Sequence, residues 1–155
     1  IVRLADRLMA HTEIQFLLVG DGSEVERLKA LIVEKELTNI SILPPVDQQE
    51  YLAMLSEFDI GLISLDKRLQ TQNFPGKLLG YMYFSKPMLC SVNPGNDLKT
   101  MLERSEAGLC SLNGEDSVLL ANALSVMPRA LMSACNLAAP SLVSRSAPIT
   151  VTVTL

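Results

Sequence analysis

This sequence has few of the residues that carry covalent or metal chemistry. It contains one histidine, His11, and three cysteines, Cys90, Cys110 and Cys135. The cysteines are odd in number and widely spaced, which argues against a disulfide framework and against the paired spacing of zinc or redox motifs. Cys90 and Cys110 lie in apolar runs, where a cysteine acts as a small buried hydrophobe. His11 stands in a polar loop without a nucleophile partner, so triad logic is lacking. No His, Cys, Asp and Glu cluster has metal-ligand spacing, and no metal or cofactor is expected. A strand–GxGxxG–helix unit and a Walker-type loop are both absent. Charged residues make up only 19% and the formal net charge is −4, which argues against a broad nucleic-acid footprint. No signal-peptide pattern shows, and no apolar run reaches membrane-span length. Cysteine usage fits a reducing compartment, so a cytoplasmic setting is expected.

What is present is an alternation. Apolar strand-like runs at residues 14–19, 40–43, 59–64, 87–91 and 108–112 are each followed by a turn and a helix-like stretch. Ser23 with Glu26, and Asp47 with Glu50, are capping-box patterns that open helices to about Lys35 and Glu57. A third helix is expected over residues 75–84. A fourth is capped by Asp97, and a fifth covers residues 116–126. Residues 1–10 read as a helix already in progress, and a leading strand before Ile1 would complete the set. This rhythm predicts an α/β fold: a Rossmann-like parallel sheet with helices on both faces. The expected unit is residues 1–127. Residues 128–155 differ in kind, with two arginines and no acidic residue. Their end alternates Thr and Val, so this segment is expected to be an atypical tail: disordered, an edge strand, or non-native.

The stretch that organises the chain is Thr71-Gln72-Asn73-Phe74-Pro75-Gly76-Lys77-Leu78-Leu79-Gly80-Tyr81-Met82. It joins a strand to a helix on the side of the sheet where ligands bind in α/β folds. Pro75 suits a first helical turn, Gly76 permits close backbone approach, and Lys77 supplies a point charge. Gln72 and Asn73 suit sugar hydroxyls. The stretch fits a phosphate-binding corner, and it fits an ordinary loop with Lys77 on a solvated face equally well. Lys67, Arg68, Lys77 and Lys86 form a modest basic cluster around it. Gly20-Asp21-Gly22-Ser23 occupies the same side after the first strand, where turn chemistry alone also explains it. The loop Pro44-Pro45-Val46 could border a flat base, and Asn93-Pro94-Gly95-Asn96-Asp97 could line a sugar pocket or be a turn and a cap.

In order and spacing, these segments resemble the C-terminal half of a GT-B glycosyltransferase of retaining family 4, of the bacterial polysaccharide type. Phe16-Leu17-Leu18-Val19-Gly20-Asp21-Gly22 is similar to the family's strand and VGDG turn. Ile42-Leu43-Pro44-Pro45-Val46 and Phe58-Asp59-Ile60-Gly61-Leu62 resemble its next two strands. Phe74-Pro75-Gly76-Lys77-Leu78-Leu79-Gly80-Tyr81-Met82 with Lys86-Pro87 resembles its FPSK-x-x-EYM…KP signature.

The resemblance implies binding of a nucleotide-sugar donor, a UDP-sugar by expectation, with Phe74 to Leu78 giving backbone N–H groups to the diphosphate. Gly20, Asp21 and Gly22 would sit beside the donor, and Pro44 and Val46 beside the base. Two glutamates of the family fall on Gln72, a possible donor-sugar contact, and on Gly80, which has no side chain to hold a ribose. No residue is assigned a certain catalytic role. The implied reaction is sugar transfer to a lipid-linked acceptor in O-antigen or capsule assembly, held by an N-terminal domain expected elsewhere. The whole enzyme would then be peripheral at the inner membrane, and this half inactive alone. A nucleotide-sugar epimerase or phosphorylase on the same fold, or a non-catalytic α/β module, are the other readings.

Overall fold

The computed structural model describes residues 1–69, 74–137 and 148–154. Six strands form one parallel sheet in the order β2-β1-β6-β3-β4-β5. They are β1 (Ile14–Val19), β2 (Ile40–Leu43), β3 (Ile60–Ser64), β4 (Met88–Val92), β5 (Gly108–Leu112) and β6 (Ile149–Thr154). The helices are α1 (Val2–Arg7), α2 (Val25–Glu34), α3 (Gln48–Glu57), α4 (Lys77–Tyr83), α5 (Asp97–Arg104) and α6 (Asp116–Leu137). The Rossmann-like α/β architecture expected from the alternation is what the chain adopts.

Side-chain alternation along the strands builds two cores, one per face. Phe16, Leu18, Ile60, Leu62 and Leu89 face the layer of α1 and α6, with Leu4, Leu8, Ala123 and Val126. Ile63, Met88, Cys90 and Cys110 face the layer of α3, α4 and α5, with Leu55, Leu78, Tyr81, Leu98 and Leu102. Cys90 and Cys110 are buried free thiols and register partners on neighbouring strands.

Four local expectations change. Ser23 does not cap α2: the helix starts at Val25 after Glu24, with no side-chain cap. Asp97 does not cap α5: Asn96 does, accepting from the Leu98 N–H at 2.9 Å. α6 does not stop near Val126 but runs through Pro128 to Leu137. The end of the chain is not an edge strand. β6 lies between β1 and β3, paired along its whole length with β1 and at two positions with β3. Ile149, Val151 and Thr152 are buried, so both faces of this part of the strand are covered. Asp59 and Thr150 fasten its start to β3, through Asp59 N–H to Thr150 O at 3.1 Å and Thr150 N–H to Asp59 Oδ2 at 2.9 Å.

Candidate functional site

Asp47 caps α3 as expected, accepting from the Glu50 N–H at 2.8 Å. Gly20-Asp21-Gly22 forms a tight turn after β1. Gly20 has φ 133°, which favours glycine, and the Asp21 carboxylate accepts from the Gly22 N–H at 2.7 Å. Pro44 and Pro45 are exposed and Val46 is half-buried. These two loops close the β1 and β2 ends with local contacts.

The expected phosphate corner is described from Phe74 onward; Thr71, Gln72 and Asn73 lie outside the described residues. Gly76 is the N-cap of α4, is exposed, and has open space where a side chain would stand. α4 has only seven residues, so its aligned dipoles add little. Leu78 is buried beneath it and Pro75 half-buried before it. Lys77 is half-buried, and burial lowers its pKa from the ordinary lysine value. At Gly80 a Cβ would meet Leu55 Cδ1 at 2.9 Å, so position 80 is directed toward α3. Tyr81 anchors the helix: its buried ring lies on Gly61, where a Cβ would sit 2.5 Å from the ring carbons. Its hydroxyl donates to the Thr152 carbonyl of β6 at 3.2 Å.

A cavity of about 910 Å³ opens at the carboxyl ends of β3, β4 and β5 and runs along the groove between α1, α2 and the start of α6. It lies on the carboxyl-end side of the parallel sheet, the side on which α/β folds bind ligands. Its lining includes Arg3, Arg7, Arg27, Lys67 and Arg68 against Glu24, Asp66 and Asp116. Arg27 pairs with Glu24, Arg68 with Asp66, and Arg3 with Asp116 at 3.5 Å. Among the described residues Arg7 and Lys67 make no ion pair, which leaves the crevice with a cationic excess. The Arg68 guanidinium holds the Asp66 carboxyl at about 2, well below its ordinary value. A concave site lined by cations of one excess sign concentrates anionic ligands.

None of Gly20, Asp21, Gly22, Pro44, Val46, Phe74, Pro75, Gly76, Lys77, Leu78 or Gly80 lines this cavity. Of the basic cluster read from the sequence, only Lys67 and Arg68 do; Lys86 instead donates to Ser56 O at 2.8 Å. Arg3, Arg7, Arg27, Ser64, Ser91 and Asn113 were not singled out as site residues. For Ser91 and Asn113 a signal exists. β4 and β5 carry the same pattern, Leu89-Cys90-Ser91-Val92-Asn93 and Leu109-Cys110-Ser111-Leu112-Asn113, aligned in register. Among the described residues, no group of three or more His, Cys, Asp and Glu is placed to hold a metal ion.

The fold is a doubly wound parallel sheet with a crevice of cationic excess at the carboxyl ends of β3, β4 and β5. The family model of glycosyl transferases group 1 matches residues 1–128, and the chain belongs to that family. No curated protein and no solved structure matches it. Among the described residues no helix is long and apolar enough to cross a membrane.

Proposed function

We propose that this domain binds the nucleotide-sugar donor of a retaining glycosyl transfer, with the donor diphosphate in the crevice at the ends of β3, β4 and β5. The observation that carries the reading is the excess of cations there, with Arg7 and Lys67 left unpaired among the described residues. Group 1 membership supplies the reaction class. As the sugar leaves, negative charge grows on the diphosphate, and fixed cations stabilise it without a proton donor. Gly76 and Lys77 would approach the same phosphates from the other end of the loop that follows β3. Pro44 and Val46 would border the base, Gly20, Asp21 and Gly22 would lie beside the donor, and Gln72 would face the sugar. UDP-sugars are the proposed donors, and a lipid-linked glycan of a surface polysaccharide is the proposed acceptor, met at the cytoplasmic membrane face.

Calorimetric titration with UDP at low ionic strength tests this. Binding is expected to weaken with added salt and to fall about tenfold in each of Arg7→Glu and Lys67→Glu, one decade per lost contact of about 1.4 kcal/mol. A folded chain that takes up no nucleoside diphosphate contradicts the proposal.

A further inference from the structure

The repeated Leu-Cys-Ser-x-Asn pattern places an asparagine immediately beyond both β4 and β5. Asn93 is 9% exposed and Asn113 half-buried. The Asn113 amide donates to Leu65 O at 3.0 Å and to Asn93 Oδ1, and its oxygen accepts from Ser91 Oγ at 2.7 Å. Asn93 in turn donates to Asp66 O at 2.9 Å and to Leu69 O at 2.6 Å. Both N–H bonds of each amide are thus spent, and both amide oxygens accept.

The circuit runs one way only. Turning either amide over would set its oxygen against carbonyl oxygens, so the network fixes the orientation of both side chains. Three carbonyls of the loop after β3, at residues 65, 66 and 69, are held by two side chains from the neighbouring strand ends. Leu65 N–H adds a bond to Ser91 O at 3.0 Å. Between these anchors lie Lys67 and Arg68, two of the crevice cations. All donor capacity of the two amides goes to the loop and to each other, which leaves no amide hydrogen for a ligand.

We propose that Asn93 and Asn113 are positioning residues: they set donor affinity by holding Lys67 and Arg68 in place, without contacting the donor. This rests on the donor site proposed above. A loop held before binding has less freedom to lose on binding, so its loosening lowers affinity with no contact removed. The pair is also distinct from strand-end packing, because its effect must pass through Lys67.

The test is a double-mutant cycle in the 155-residue chain. UDP affinity is measured for native protein, Asn113→Ala, Lys67→Ala and the double variant, with hydrogen exchange read at the Arg68 and Leu69 amides. Those amides are bonded to the Asp66 carboxylate at 2.9 Å and to Asp66 O at 3.0 Å. Asn113→Ala is expected to weaken UDP about tenfold and to speed Arg68 and Leu69 exchange by a similar factor, with α2 amides unchanged. Lys67→Ala is then expected to cost much less in the Asn113→Ala background than alone. Asn93→Asp, which keeps the shape but loses the donors, is the second variant in case Asn113→Ala fails to fold. Additive effects, or unchanged exchange, in a chain that binds UDP overturn this inference alone. Absence of UDP binding by the folded native chain overturns the donor reading and this inference with it.

Discussion

The two halves of the sheet end differently on the ligand side. The ends of β3, β4 and β5 are braced across strands: Asn93 and Asn113 reach carbonyls of the β3 loop, and Ser91 joins them. The ends of β1 and β2 share one backbone bond, Gly20 N–H to Leu43 O at 3.2 Å, and their side chains close locally, Asp21 on its own turn and Asp47 on its own helix. A local closure costs little to disturb and can be replaced residue by residue. A cross-strand brace ties the geometry of one loop to two others, so it holds the loop that carries Lys67 and Arg68 against two strand ends.

The braced half also fastens its helix more tightly, and this gives the largest expected effect. Gly61→Ala would drive a methyl into the Tyr81 ring, which has no room to retreat inside a buried core. A loss of about 3 kcal/mol in unfolding free energy is expected, the upper part of the range for overpacking. An unchanged denaturation midpoint would break the comparison at its core. On the locally closed side, Asp47→Ala is expected to cost about 1 kcal/mol through the lost cap, read by the same denaturation curve. Smallest is Asp21→Ala, where an exposed one-residue contact is lost; a change within about 0.5 kcal/mol is expected. If Asp21→Ala proved as costly as Gly61→Ala, the two halves would not differ as described.

The fold was legible where each apolar run was short and bounded by turn residues. β1, β2 and β5 span the residues expected, and the Asp47 cap forms. The helix expected over residues 116–126 continues past Pro128 to Leu137. The Thr/Val alternation of β6 left three readings open: disorder, an edge strand or a non-native segment. Here threonine takes the place of a buried β-branched residue: Thr152 is 0% exposed, and its carbonyl receives the Tyr81 hydroxyl. Which strand sits between β1 and β3 is decided by the path of the chain, which no local pattern encodes.

The site was less legible than the fold. Lys67 and Arg68 stood out as a basic pair, but Arg3, Arg7 and Arg27 reach the same crevice only because α1 and α2 pack on one face of the sheet. Asn113 lies just past a strand-like run, and its partners, at residues 65, 91 and 93, are remote in sequence. Gly80 read as a missing ribose contact; Leu55 beside it shows that the position is also a close approach of α4 to α3. Gln72 and Asn73 fall outside the described residues.

The most direct measurement is a UDP titration of isotopically labelled protein followed by backbone amide NMR. The largest shifts are expected at Asp66, Lys67, Arg68 and Asn113, with smaller ones at Gly20, Gly22 and Val46. Shifts confined to the β1 and β2 loops, with residues 65–69 and Asn113 unmoved, would contradict the placement of the diphosphate at the braced strand ends.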